Sequence, residues 1–149
     1  MKIILVNYRY FFSGGPERYM FNIKQLLEDA GHEVIPFSVK HNRNVKTPYE
    51  KYFLSPIGSG DEVYFSDVQK SKKSFKDLWK GFSRMVYSPE AKRCFKRLLK
   101  DVKPDLVYIL YYQSKISCSI VQAAYEMHIP IVQRISDYSL LAPCGMYFR

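Results

Sequence analysis

The sequence has few cysteines and lacks an apolar run long enough to cross a membrane. Its three cysteines, Cys94, Cys118 and Cys144, are far apart and show neither CxxC nor CxxH spacing, so neither a disulfide framework nor a zinc site is predicted. No apolar run approaches the roughly 18–20 residues of a membrane-spanning helix. Because Met1 and Lys2 lead directly into an apolar segment, we expect no signal peptide. These absences predict a cytoplasmic protein with reduced cysteines, and we expect it to use neither a metal nor a cofactor.

Acidic residues are scarce between positions 70 and 100. This segment has eleven lysines and arginines but only two acids, and the difference of nine equals the formal net charge of the whole chain, +9. Such an excess predicts an anionic partner. A basic amphipathic helix over 73–86 could lie on an anionic membrane surface, or its lysines could form a solvated face on a helix packed against its own domain. The residues expected at the membrane surface are Lys76, Trp79, Lys80 and Arg84.

Aromatic residues are abundant and allow another interpretation of the basic segment. The chain has thirteen tyrosines and ten phenylalanines, and aromatic side chains in a basic protein can stack on nucleic-acid bases. A core or a sugar-binding cleft explains most of them better, so nucleic acid is not expected as a partner. A noncatalytic module that binds anionic membrane or nucleic acid through residues 70–100 stays open as the alternative function.

Strand and helix patterns alternate along the chain. Short apolar runs predict buried strands, and amphipathic periods between them predict helices. The strands are expected at 2–6, 33–38, 106–111 and 129–135, and the helices at 16–30, 73–86, 89–102 and 116–127. Strands joined through helices pair in parallel. The predicted fold is therefore an α/β, Rossmann-like parallel sheet with helices on both faces and with the first strand central. Pro36 in the second strand indicates either an edge position or the end of the strand.

The first helix has a predicted buried face and a predicted end. Its apolar residues at helical spacing are Tyr19, Ile23, Leu26, Leu27 and Ala30. Glu17 lies off this stripe and is expected outside it. Gly31 is expected to end the helix in a left-handed conformation.

Two adjacent glycines, Gly14 and Gly15, separate the first strand from the first helix. Glycines at this point let the backbone approach a ligand and direct free N–H groups at it, which predicts a site for an anion such as phosphate. The spacing is neither GxGxxG nor a Walker loop, and a tight turn without a ligand is the alternative. Glu17 would repel an anion at this helix end, whereas Arg18 would attract one.

Several short motifs follow one another in a particular order. They are Asn7-Tyr8-Arg9-Tyr10, Gly14-Gly15-Pro16-Glu17-Arg18, Lys103-Pro104-Asp105, Ile129-Pro130-Ile131-Val132, and Asp137-Tyr138 followed by Leu141 and Pro143. Together with the amino-terminal strand, their order and spacing resemble the amino-terminal, acceptor-side domain of the retaining, metal-independent glycosyltransferases of family 4, which have the GT-B fold. The resemblance covers nearly the whole chain.

The resemblance implies a hexosyltransferase that moves a sugar from a nucleotide-sugar donor to a glycan or lipid-linked acceptor, as in bacterial surface polysaccharide synthesis. Gly14, Gly15 and Arg18 would contact the donor diphosphate and stabilise the leaving group electrostatically. Ser136 and Asp137 would be catalytic residues in the loop after the fourth strand. The residues expected to contact the acceptor are Tyr111, Tyr112, Gln113 and Tyr138.

The chain departs from the family pattern in two respects. Ser136 stands where many members have a histidine, and the histidines that are present, His32, His41 and His128, are expected to be structural. The paired-glutamate motif of the carboxyl-terminal, donor-binding domain is absent from the sequence. Residues 1–149 are therefore expected to form one truncated amino-terminal domain that is inactive alone.

Overall fold

The computed structural model describes residues 1–57, 75–112 and 115–135, in which parallel strands alternate with helices. The strands are β1 (Lys2–Asn7), β2 (Glu33–Phe37), β3 (Leu106–Tyr111) and β4 (Ile131–Gln133). The helices are α1 (Gly15–Asp29), α2 (Phe75–Val86), α3 (Pro89–Val102) and α4 (Ser119–Tyr125), and a short 3-10 helix spans Pro48–Tyr52. The predicted α/β, Rossmann-like architecture is confirmed.

The strands form one parallel sheet in the order β2-β1-β3-β4. As predicted, β1 is a central strand, and β2, with Pro36, lies at an edge, which is one of the two positions that the proline indicated. A central strand is covered on both faces and needs apolar residues throughout. Ile3 to Val6 meet this need, and all four are buried.

Helices cover both faces of the sheet, as the sequence predicted. On one face, Met20 of α1 belongs to a buried cluster with Leu5 of β1. On the other face, Phe95 of α3 and Ile120 of α4 belong to a larger cluster with Ile4. Adjacent residues of β1 thus enter different clusters because successive side chains of a strand point to opposite faces.

The buried face of α1 differs from the predicted one. Leu26, which was predicted to face the sheet, is 63% exposed, and Ala30 is also exposed. Met20 and Glu17 are buried instead, each 1% exposed. The prediction was wrong because a residue from another loop makes burial of the carboxylate possible. Arg9 Nη1 lies 3.8 Å from Glu17 Oε1 and offsets its charge.

Local signals set several helix ends. Ser88 Oγ accepts a hydrogen bond from the Ala91 N–H at 3.2 Å and caps α3. Gly31 ends α1 with φ +80°, as predicted. The fourth helix begins later than the predicted residue 116 because Ser117 has φ +124°, which lies outside the helical region. No helix in the described ranges has the length and hydropathy of a membrane-spanning segment.

Candidate functional site

The sheet has a switch point between β1 and β3. From β1 the chain first runs to β2 on one side and later returns to β3 on the other. Loops that leave the carboxyl ends of two such strands diverge, and this opening is where open α/β sheets bind ligands. The pairing register also shifts here, so that Asn7 pairs with Tyr111. The candidate site is this carboxyl edge.

Two tyrosines line the switch point. The rings of Tyr8 and Tyr111 lie 5.2 Å apart at 52°, and both side chains are half-buried. Burial raises the pKa of Tyr8 above its usual value of 10.0. Tyr112 is also half-buried, and burial raises its pKa in the same way. Tyr111 and Tyr112, which were predicted to contact an acceptor, therefore lie at this edge, whereas Gln113 and Tyr138 lie outside the described residues.

Arg9 lies in the loop after β1 and connects several groups of the site. Its guanidinium carbon is 4.8 Å from the centre of the Tyr8 ring, and Nη1 donates a hydrogen bond to Ser13 Oγ at 3.2 Å. The Arg9 carbonyl accepts a hydrogen bond from Asn7 Nδ2 at 2.9 Å. Arg9 is thus held at the crevice by a cation–π contact, a side-chain hydrogen bond to Ser13 and the hydrogen bond from Asn7 to its carbonyl.

Gly14, Gly15 and Arg18 are exposed at the amino-terminal end of α1. Gly14 has extended backbone, with φ −172°, and a Cβ added to Gly15 would meet no atom within 4 Å. A Cβ on Gly14 would lie 3.5 Å from Glu17 Oε2. The buried carboxylate therefore sits under the glycine turn, on the side away from solvent. Glu17 Oε1 accepts no hydrogen bond from the described residues.

The loop after β2 joins the site from its other side. The Val45 N–H donates to the Tyr10 carbonyl at 2.8 Å and so ties this loop to the one after β1. His41 stacks on Phe11 with ring centres 4.4 Å apart, and the Arg43 guanidinium carbon lies 4.9 Å from the same ring. Sequence reasoning assigned no site role to these residues. Their positions directly after parallel strands were the available signal, because such loops leave the same edge of the sheet.

Arg134 connects the end of β4 to α1. Its guanidinium carbon lies 3.8 Å from the centre of the Tyr19 ring, and the Tyr19 hydroxyl is 3.3 Å from that of Tyr108. Burial, together with this hydrogen bond, raises the pKa of Tyr108 to about 12. The residues predicted to form the reacting centre, Ser136, Asp137 and Tyr138, follow Arg134 and lie outside the described residues.

One residue of the basic segment, Arg84, does not lie at the surface as predicted. Arg84, which was predicted at a membrane surface, has a side chain only 1% exposed. It donates hydrogen bonds to the carbonyls of Ser55 and Lys115 and to Glu90, which is why this face of α2 packs inward. Trp79 lies elsewhere on α2 and is exposed, and the side chains of Lys76 and Lys80 are outside the described set.

Metal-ligating side chains do not cluster in the described part of the chain. Residues 1–57, 75–112 and 115–135 contain no group of three or more His, Cys, Asp or Glu side chains arranged to hold a metal ion. Away from the candidate site, Glu126 accepts hydrogen bonds from Lys92 and Lys96, which lower its pKa to about 2. These ion pairs connect α3 to the turn after α4.

Comparisons with known proteins show a likeness to a solved structure. No protein-family model matches the chain, and no curated protein matches it. Among solved structures, the chain is similar to the crystal structure of SsfS6, a glycosyltransferase of Streptomyces sp. SF2575, at 18% sequence identity and a TM-score of 0.48. The match covers 97% of this chain and 43% of that one, so the chain spans less than half of that glycosyltransferase.

Proposed function

We propose that this chain is the acceptor-side portion of a nucleotide-sugar-dependent glycosyltransferase of the GT-B type. The sugar would pass to a glycan or lipid-linked acceptor in bacterial surface polysaccharide synthesis, at the cytoplasmic face of the membrane. The observation that carries the proposal is the switch-point crevice, where Tyr8 and Tyr111 lie together at the ends of β1 and β3. The order of motifs that resembles family 4 suggests the reaction class.

Tyrosine side chains suit the acceptor part of this proposal. Each ring offers an apolar face to the C–H groups of a sugar, and each hydroxyl can donate to and accept from sugar hydroxyls. Tyr8, Tyr111 and Tyr112 are half-buried, so part of each side chain is available to a ligand. Because burial raises the pKa of Tyr8 and Tyr112, these groups stay neutral hydrogen-bond donors at physiological pH.

The glycine turn suits the donor part. Gly14 is extended and Gly15 has open space around it, so neither glycine is required by packing or by a left-handed backbone. A close backbone approach to the donor diphosphate would account for both. The dipole of α1 and the exposed Arg18 would attract this charge. Glu17 opposes it, but Arg9 offsets the Glu17 carboxylate from 3.8 Å.

Gly15→Val is expected to lower the rate of sugar transfer by about tenfold, because the added methyl groups would hold a diphosphate away from the N–H groups of the first turn. The measurement is release of nucleoside diphosphate from a panel of UDP- and GDP-sugars by the complete gene product, with glycan acceptors present. Gly81→Val on α2 is the matched control, because a Cβ there also meets no atom within 4 Å. Equal rates in the two variants, or no turnover of any donor, would contradict the proposal.

A second candidate function is binding to an anionic membrane surface. The observation that favours it is a row of exposed apolar side chains on α2, where Trp79 is 68% and Phe82 is 59% exposed and Val86 is also exposed. Residues three and four apart lie on the same side of a helix. The +9 charge contributed by residues 70–100 complements an anionic lipid surface. The two functions are compatible, since a lipid-linked acceptor lies at such a surface.

Trp79→Ala is expected to weaken binding to phosphatidylglycerol vesicles by about tenfold, because it removes apolar area that enters the lipid. Trp79 is the single tryptophan of the chain, so its emission should shift to shorter wavelength when vesicles are added. Leu26→Ala, on an exposed apolar residue of α1, is the control and should not change the affinity. An unchanged emission would exclude the membrane proposal, and tighter binding to duplex DNA than to vesicles would favour a nucleic-acid partner.

A further inference from the structure

Phe11 is the centre of a cluster of cationic side chains outside the predicted site. Its ring is buried and lies between groups from two loops. The guanidinium carbons of Arg43 and Arg9 are 4.9 Å and 5.9 Å from the ring centre, and His41 stacks on the ring at 26°. Arginine held over an aromatic face is oriented before any ligand arrives, so less entropy is lost on binding.

The loop that carries Arg43 is fixed by its own hydrogen bonds. Asn44 Nδ2 donates to the Val39 carbonyl at 2.9 Å, and the Asn44 N–H donates to the His41 carbonyl at 3.1 Å. The Arg43 N–H donates to His41 Nδ1 at 3.0 Å. The backbone of Arg43 is therefore fixed by the same loop that holds its guanidinium over Phe11.

The charge of Arg43 is not neutralised by the described residues. Its side chain is exposed and forms no ion pair within residues 1–57, 75–112 and 115–135. Loops after β1 and β2 leave the same sheet edge as the candidate site. A positively charged, pre-oriented group thus lies beside the crevice.

We propose that Arg43, held over Phe11, forms a subsite for a negatively charged group on the acceptor sugar, a phosphate or a carboxylate. The planar guanidinium matches both groups because it donates two parallel hydrogen bonds to their oxygens. The subsite lies on the β2 side of the crevice, while Tyr111 lies on the β3 side. That the charged group belongs to an acceptor sugar rests on the proposed function, whereas the anion site itself rests on Arg43 and its contact with Phe11.

The test measures binding of glucose 1-phosphate, glucuronate and uncharged glucose to this chain by isothermal titration calorimetry. At least one charged sugar is expected to bind about tenfold more tightly than glucose, as charge-assisted hydrogen bonds predict. Arg43→Gln should remove most of that difference, and Arg43→Lys should restore part of it. Binding of glucose 1-phosphate alone would identify phosphate as the group, and binding of glucuronate alone would identify carboxylate.

Lys46→Gln is the matched control because Lys46 is also an exposed cation of this loop. It should change each dissociation constant by less than about twofold, since it lacks the aromatic contact that orients Arg43. An equal loss in Lys46→Gln and Arg43→Gln, or equal binding of all three sugars, would overturn the subsite. Failure of the proposed function is separate, because it would appear as absence of nucleotide-sugar turnover while charged sugars still bind.

Discussion

Arg84→Leu is expected to lower the free energy of unfolding by about 3–5 kcal/mol, the usual cost of removing one partner of a buried ionic group. Arg84 is a fully enclosed cation that donates to Glu90 Oε2 at 3.3 Å and to two main-chain carbonyls, those of Ser55 and Lys115. Leucine fills part of the space but donates nothing, so these carbonyls lose a donor in a buried place. Burial lowers the pKa of Arg84, and Glu90 opposes this shift. The guanidinium is therefore stable there only together with its partners.

Urea unfolding followed by circular dichroism measures this loss, with Arg93→Leu as the control. Arg93 carries the same charge on α3 but is exposed, and surface substitutions usually change stability by no more than about 0.5 kcal/mol. Equal losses in the two variants would show that Arg84 is solvated. Arg84 would then return to the set of residues available to a membrane surface.

Phe95→Ala is expected to cost about 3–5 kcal/mol, because it removes a fully buried ring and leaves a cavity. Phe95 belongs to α3, and its ring centre lies 4.8 Å from that of Phe37 in an edge-to-face arrangement. Phe37 lies on β2, the edge strand, so this contact packs β2 against α3. The loss should be visible as a lower urea midpoint with an unchanged slope.

Leu26→Ala separates the observed packing from the predicted packing. The periodicity of α1 places Leu26 toward the sheet, and on that basis its truncation would cost several kcal/mol. The structure leaves Leu26 mostly in solvent, so we expect a change of about 0.5 kcal/mol or less. A loss as large as that of Phe95→Ala would mean that the sequence-derived face of α1 is the buried one. Phe95→Leu keeps the comparison measurable if the alanine variant does not fold.

The burial of charged side chains is the feature that the sequence patterns predicted least well. The pattern of residues 70–100 treats Arg84 as one more surface cation, whereas the two carbonyls that accept its hydrogen bonds belong to residues 29 positions before it and 31 positions after it. Glu17 presents the same problem on α1, where its partner Arg9 belongs to the preceding loop. Hydrophobic periodicity assigns every charged residue to the solvent side. It does not predict that a charged side chain can be buried when a group from another part of the fold contacts it.

The sequence by itself determined the elements, their order and the sheet edge from which the loops after β1, β2 and β3 leave. Apolar runs, helical periods, the Ser88 cap and the Gly31 stop are local signals, and strands joined through helices must pair in parallel. Only the tertiary structure decided which side chains meet at that edge, namely Arg9 and Arg43 around Phe11 and Tyr8 beside Tyr111. These contacts join residues from different loops and strands, and their geometry depends on strand register and on loop hydrogen bonds that no local pattern encodes.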